Sequence, residues 1–169
     1  MALILAVEDD LKIRELITLT LTDHLIVESP TGEDALRLVQ KVRPNLIILD
    51  MKLDHGISGV EVCRQFAAYA PLAGIPILAV SGLSSPQEIS EFLHAGATSF
   101  MAKPFSPNEL IERVDKLIEL EVISIARILA AAGEIDLVNG VKGALVAGNT
   151  FKIIRALKQA INEIEQELK

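Results

Sequence analysis

Acidic side chains stand at the ends of two strongly apolar runs in this sequence. Glu8 and Asp9 follow the run LILAV at residues 3–7. Asp50 closes the run LIILD at residues 46–50. An aspartate in such a place often caps a helix or closes a turn, so its surroundings must decide its role. Carboxylates that lie together repel one another, and a raised pKa or a bound cation relieves the repulsion. Oxygen ligands with open positions suit Mg²⁺.

A hydroxyl and an ammonium group stand at the ends of two later apolar runs, at Ser81 and Lys103. Beside Asp50 they would complete a site for phosphoryl chemistry. Asp50 would attack a phosphoryl donor as a carboxylate nucleophile, while Lys103 and the metal neutralise the charge of the transferring group. The Ser81 hydroxyl would donate a hydrogen bond to a phosphoryl oxygen. The product of this chemistry is an acyl phosphate.

Five short apolar runs predict the strands that must position these residues. They lie at residues 3–7, 25–29, 46–50, 75–81 and 98–103. Nearly continuous apolar sequence is typical of parallel strands that are covered on both faces. Because a segment of helical pattern follows each run, we predict a doubly wound α/β fold with a five-stranded parallel sheet. The carboxyl ends of the strands share one edge, where ligands bind in such sheets.

Capping residues and prolines predict where the helices begin and end. The second helix is expected to open at Thr31 and to close at Pro44. The fifth helix is expected to follow Ser106 as its cap, with Pro107 at the first helical position and Glu109 at the third.

Four motifs in order carry a resemblance to a known family: VEDD at residues 7–10, LIILD at 46–50, AVSG at 79–82 and GATSFMAKPF at 96–105. Together they resemble the receiver domain of two-component response regulators over residues 1–120. The resemblance implies a flavodoxin-like sheet ordered 2-1-3-4-5. It also implies that a histidine kinase or a phosphotransfer protein passes a phosphoryl group to the domain.

The resemblance assigns a role to each acidic residue and to one main-chain carbonyl. Asp50 becomes the phosphoacceptor, with Mg²⁺ held by Glu8, Asp9, Asp50 and the main-chain carbonyl of Lys52. Phosphotransfer and dephosphorylation would be catalysed by the domain itself, so the protein is not predicted to be an enzyme acting on another substrate.

The family's conformational switch maps onto Ser81 and Phe100. Phe100 lacks the hydroxyl that a tyrosine would carry there. The resemblance further implies a cis peptide bond between Lys103 and Pro104. From these residues the change is expected to pass through the fourth helix, the fifth strand and the fifth helix to the C-terminal helices.

The loop after Asp50 departs from the family pattern. Asp54 stands where most receivers have a proline, and Gly59 follows Asp50 by nine residues where many relatives have eight. The loop is therefore one residue longer, and Asp54 with His55 is a candidate modifier of metal access or phosphate lifetime.

Two other readings of the sequence stay open, a scaffold and a phosphatase, whereas a third, a nucleotide-binding site, lacks its motif. A receiver fold that acts as a scaffold or dimerisation module without phosphate would keep the same motifs. A phosphatase of the dehalogenase type would need a second aspartate two residues after Asp50, where this chain has Lys52. A nucleotide-binding loop of the type GxxxxGK[ST] does not occur.

The single cysteine, Cys63, is expected to be a small core residue.

Residues 121–169 lie outside the resemblance. Apolar residues at steps of three and four continue the fifth helix to a length of about 26 residues, and a second such stripe begins near Thr150. We predict a helical hairpin that continues from the fifth helix and either packs on the receiver or pairs with a second copy. A DNA-binding or enzymatic output domain is the minority alternative. Six basic and six acidic residues leave this segment without net charge, which disfavours DNA binding.

Composition bounds the function further. The 169 residues carry a net charge of −7 and only six aromatic side chains, which disfavours nucleic acid and anionic lipid as partners. The first seven residues, MALILAV, lack the basic region of a signal peptide, and no apolar run is long enough to span a membrane. We expect a cytoplasmic protein.

Overall fold

A computed structural model of the chain describes residues 1–69, 72, 74–82 and 85–131. Within these residues, five strands alternate with five helices. The strands are β1 Leu3–Val7, β2 Leu25–Ser29, β3 Leu46–Asp50, β4 Ile77–Ser81 and β5 Ser99–Ala102. The helices are α1 Leu11–Thr20, α2 Gly32–Leu38, α3 Gly59–Ala68, α4 Pro86–His94 and α5 Pro107–Ala131. All pairings are parallel, and the order β2-β1-β3-β4-β5 confirms the predicted flavodoxin-like fold.

Burial follows the position of each strand in the sheet. Every residue of β3 and β4 is buried, because helices cover both faces of the centre. The edge strand β2 buries only Ser29 fully. One side of the core holds large buried side chains from strands and helices, among them Leu49, Phe66 and Phe92.

The register of the sheet brings the ends of four strands level. Val7 of β1 lies beside Leu49 of β3, so the residues after β1 flank the end of β3. Asp50 in turn pairs with Val80, and Ser81 pairs with Ala102. Polar residues at these ends therefore share one edge of the sheet.

Side-chain caps start the helices at this edge. Asp10 caps α1, since its carboxylate accepts hydrogen bonds from the amides of Lys12 at 2.7 Å and Ile13 at 3.2 Å. Ser106 accepts from the amide of Glu109 at 3.2 Å, as the sequence predicted for α5.

The prediction that α2 reaches Pro44 is wrong. The helix ends at Leu38, whose carbonyl accepts hydrogen bonds from the amides of both Lys41 and Val42 at 2.9 Å. These bonds turn the chain away from the helix. Pro44 also disfavours helical geometry in the residue before it, so the segment does not extend the helix.

Helix α5 spans 25 residues, close to the predicted length of about 26. The chain divides into two compact units, Met1–Leu117 and Ile118–Lys169. The predicted domain boundary at residue 120 falls inside α5 and stays a prediction. The predicted hairpin beyond residue 131 lies outside the described residues. Among the residues described, no helix is both long and apolar enough to cross a membrane.

Candidate functional site

Three carboxylates meet at the carboxyl edge of the sheet. One side-chain oxygen from each of Glu8, Asp9 and Asp50 lies within 4.8 Å of the others. Glu8 and Asp9 follow β1, and Asp50 ends the neighbouring strand β3, so the sheet register brings them together. Three hard oxygen donors at this spacing fit a divalent cation that accepts oxygen ligands, such as Mg²⁺.

Lys103 links two of these acids. Its Nζ donates to Asp50 Oδ2 at 2.6 Å and lies 2.7 Å from Glu8 Oε2. Glu8 and Asp50 are only 2% and 5% exposed, so this charge pairing takes place largely out of water. A pair of buried acids is tolerated where a cation lies between them.

Burial and pairing shift the pKa values of both ends of the Glu8–Lys103 pair. Burial is the main cause that raises the pKa of Glu8 to about 7, against the opposing effect of the hydrogen bond from Lys103. Burial alone would lower the pKa of Lys103, but the hydrogen bonds to Asp50 and Glu8 outweigh it and raise that pKa. Lys103 therefore carries its positive charge at neutral pH.

The end of β4 supplies Ser81 and the main-chain contact that fixes Lys103. Ser81 is fully buried, and its carbonyl oxygen accepts a hydrogen bond from the amide of Lys103 at 2.8 Å. The peptide bond between Lys103 and Pro104 is cis.

Asp50 has a different partner for each carboxylate oxygen. The amide of Lys52 donates to Oδ1 at 2.8 Å, while Lys103 donates to Oδ2. The carboxylate is thus fixed in orientation by one neutral and one charged donor. A carboxylate held in this way is suited to act as a nucleophile toward an electrophile bound at this edge.

Gly59, the first residue of α3, lies against the main chain of Asp50. A Cβ at this position would lie 1.9 Å from the carbonyl oxygen of Asp50 and 2.6 Å from Cα of Met51. Any side chain would push α3 away from the end of β3. The sequence showed that this glycine lies nine residues from Asp50, but not that the backbones touch.

Arg14 holds the main chain of Glu8 and Asp9 and pairs with Glu28. Sequence reasoning missed both Arg14 and Glu28. Arg14 Nη1 donates to the carbonyl oxygens of Glu8 at 2.7 Å and Asp9 at 3.0 Å. Its Nε lies 3.5 Å from a carboxylate oxygen of Glu28 on β2. An arginine four residues into a helix looks like an ordinary surface residue, so no sequence signal marked it.

The predicted switch residue Phe100 is half-buried. Its ring lies 5.8 Å from the ring of Phe92, measured between centroids, at an interplanar angle of 29°. The pair joins β5 to α4. Cys63 is a buried core residue, as predicted, and burial raises the pKa of its thiol to about 11.

Comparison with known proteins gives the family that matches these features. The profile of the response regulator receiver domain matches residues 4–115. The DNA-binding response regulator MtrA of Mycobacterium tuberculosis strain H37Rv is 34% identical over 113 residues, which cover 66% of this chain and 48% of that protein. The transcriptional regulatory protein AfsQ1 of Streptomyces coelicolor matches with the same identity and the same coverage. The chain thus spans about half the length of these curated relatives.

Solved structures agree with this match. The chemotaxis response regulator CheY4 of Vibrio cholerae is 30% identical and superimposes with a TM-score of 0.66, over 69% of this chain and 98% of that one. The signal receiver domain of a signal transduction histidine kinase from Syntrophus aciditrophicus is 28% identical, with a TM-score of 0.64, over 69% and 89% of the two chains.

Proposed function

This chain belongs to the response regulator receiver family, and we propose that Asp50 is its phosphoacceptor. The observation that carries the proposal is the position of Lys103 Nζ, at 2.6 Å from Asp50 Oδ2 and 2.7 Å from Glu8 Oε2. An ammonium held between a nucleophilic carboxylate and a candidate metal ligand is placed to neutralise an arriving phosphoryl group.

The proposed reaction is phosphotransfer from a phosphohistidine of a histidine kinase or a phosphotransfer protein. A carboxylate oxygen of Asp50 forms a bond to phosphorus while the bond from phosphorus to the histidine nitrogen breaks. The electron pair of that bond stays on the imidazole. Glu8, Asp9, Asp50 and the main-chain carbonyl of Lys52 would hold Mg²⁺, which would supply positive charge beside the phosphoryl oxygens.

The chain's own polar groups receive the product. Lys103 is proposed to exchange part of its contact with Asp50 for a phosphoryl oxygen, since the carboxylate loses its negative charge on becoming an acyl phosphate. The Ser81 hydroxyl is proposed to donate to a second phosphoryl oxygen. Both groups belong to adjacent strand ends, which fixes the distance between them before the reaction.

The output is proposed to pass through α4, β5 and α5. Phe100 on β5 stacks against Phe92 on α4, so a shift of Ser81 on β4 has a packed route to α4.

Residues 121–169, with balanced charge, are proposed to pair with a second copy of the chain in the cytoplasm. DNA binding, which the name of MtrA states for that protein, is not proposed for this chain.

Intact mass after incubation with acetyl phosphate and Mg²⁺ tests the proposal. Wild type should gain one phosphate, and Asp50→Asn should gain none. Asp34→Asn, at a partly exposed position of α2 where the carboxylate pairs with Arg37, removes the same charge outside the acidic cluster and should label like wild type. Wild type that takes up no phosphate, from acetyl phosphate or from kinases, would favour the phosphate-independent scaffold.

A further inference from the structure

The loop after Asp50, residues 51–58, is tied to the rest of the domain by two carboxylates from other elements. The amide of Asp54 donates to Asp9 Oδ2 at 3.0 Å. The amide of Ile57 donates to Glu33 Oε1, also at 3.0 Å. One tether is therefore a candidate metal ligand, and the other is a residue of α2 that takes no part in the proposed phosphotransfer. We call residues 51–58 the acceptor loop.

The tether to Glu33 is closely fitted. Gly56 has a φ of +78°, and a Cβ there would lie 2.3 Å from Glu33 Oε1 and 2.6 Å from Oε2. The main chain of Gly56 thus leaves the space that the carboxylate of Glu33 occupies. A positive φ also favours glycine for its backbone alone, and a Cβ here would fit only if the Glu33 carboxylate moved away from Ile57.

The base of the tether is fixed as well. Glu33 lies in the first turn of α2, whose cap Thr31 accepts a hydrogen bond from the amide of Asp34 at 3.2 Å. A Cβ on Gly32 would lie 2.8 Å from Cγ1 of Ile57, which shows how closely the start of α2 packs on the acceptor loop. Glu33 is therefore anchored on a rigid element and reaches a segment that has no regular structure of its own.

We propose that Glu33 is a positioning residue for the metal site. By holding the amide of Ile57, Glu33 fixes the acceptor loop so that the amide of Asp54 reaches Asp9. That hydrogen bond turns the carboxylate of Asp9 toward Asp50. Groups that orient a metal ligand in this way typically contribute about 10- to 100-fold to metal affinity. The inference rests on the proposed function for the identity of the metal, Mg²⁺.

Titration of Mg²⁺ into the full chain by calorimetry tests this role. Glu33→Ala should weaken Mg²⁺ binding about tenfold. Glu33→Gln keeps an acceptor oxygen for Ile57 and should bind like wild type. Asp34→Ala removes one carboxylate from the same turn and should also bind like wild type. Unchanged affinity in Glu33→Ala, or equal losses in Glu33→Gln and Glu33→Ala, would overturn the proposal.

Amide hydrogen exchange gives a readout that does not depend on the metal. In metal-free protein, the amides of Ile57 and Asp54 should both lose protection in Glu33→Ala and keep it in Glu33→Gln. Loss at Ile57 alone would show that the two tethers are independent, and it would contradict the proposal.

A pair of glycine substitutions tests the tether without removing Glu33. Gly56→Ala and Gly74→Ala impose the same backbone strain, since the φ values are +78° and +80°. A Cβ at Gly74 has nothing within 4 Å, whereas one at Gly56 meets the Glu33 carboxylate. Gly56→Ala should therefore weaken Mg²⁺ binding and Gly74→Ala should not; equal affinities would contradict the proposal.

Phosphate labelling of wild type keeps the two hypotheses apart. If wild type binds Mg²⁺ but takes up no phosphate, the proposed function fails while the role of Glu33 is still measured by metal affinity. If wild type takes up phosphate and Glu33→Ala binds Mg²⁺ normally, the positioning role alone fails.

Discussion

The two halves of the acidic edge are held by different forces. In the buried half, the side chain of Lys103 contacts both Glu8 and Asp50, and both acidic residues are at most 5% exposed. In the exposed half, Asp9 meets the acceptor loop through the amide of Asp54. The first arrangement depends on opposite charges at low dielectric, and the second depends on where a loop backbone lies.

This difference separates chemistry from positioning. Charged groups that are shielded from water interact strongly, so changes in the buried half should act on the reaction itself. Changes in the exposed half should act mainly on metal affinity, because water is able to replace a lost contact there. The predictions below begin with the largest expected effect, and those on Lys103 and Asp9 test this division directly.

Removal of the ammonium should have the largest effect on the reaction. Lys103→Ala is expected to slow phosphate uptake from acetyl phosphate by about 10²- to 10³-fold, since a charge aimed at the transferring group is lost. Quenching the reaction at successive times and measuring intact mass gives the rate of phosphate uptake. Lys116→Ala, on the exposed face of α5, is the control and should leave the rate unchanged. A small effect at Lys103 would place the dominant charge elsewhere.

Filling the contact between α3 and β3 should affect stability. Gly59→Ala is expected to lower the free energy of unfolding by about 3 kcal/mol, because its Cβ would overlap the main chain of Asp50. Urea denaturation measures this change. Gly82→Ala, where a Cβ has nothing within 4 Å, is the matched control and should cost much less. Equal losses would mean that α3 is free to shift.

Asp9 should govern metal affinity rather than the stability of the fold. Asp9→Asn is expected to weaken Mg²⁺ binding by about tenfold or more, since a direct ligand should contribute at least as much as a group that orients one. The rise in melting temperature on adding Mg²⁺ should shrink accordingly. Asp10→Asn changes the same charge one residue away and keeps a side chain that caps helices, so it should bind Mg²⁺ normally. Equal losses in both variants would indicate a general charge effect instead of ligation.

The smallest effect concerns pH and lies away from both halves of the edge. Burial lowers the pKa of His24, whose ring accepts a hydrogen bond from the amide of Ala2 at 3.3 Å. As pH falls through about 6.5, the unfolded chain takes up a proton that the folded chain excludes. The free energy of unfolding should therefore decrease with falling pH in this window.

Urea denaturation of wild type and His24→Gln at several pH values measures this contribution. The variant should show a flatter dependence around pH 6.5, while Mg²⁺ affinity at neutral pH stays unchanged. An identical slope in both proteins would assign the pH response to other groups.

The sequence predicted the fold because the strands at the centre of the sheet are buried throughout. Apolar runs without alternation marked β3 and β4, and polar residues at the run ends marked Asp50, Ser81 and Lys103. The end of α2 was missed because local turns at its C-terminus compete with an unbroken helical pattern. Boundaries of this kind depend on single hydrogen bonds that periodicity does not report.

Residues that act through the main chain were not predictable in the same way. Arg14 reaches carbonyl oxygens, Glu33 accepts from an amide, and Gly59 makes room for a carbonyl. Backbone groups are the same at every position, so a sequence does not indicate which of them a side chain will meet. The chemical groups of the site were predictable, whereas their supports required coordinates.

The three successive acidic residues after β1 each have a different role. Glu8 points to the lysine, Asp9 faces the acceptor loop, and Asp10 starts α1. Their order therefore matters more than their number. One residue inserted into this triplet would move each carboxylate into the position of its neighbour. The chain would then lose both the cap of α1 and the ion pair with Lys103.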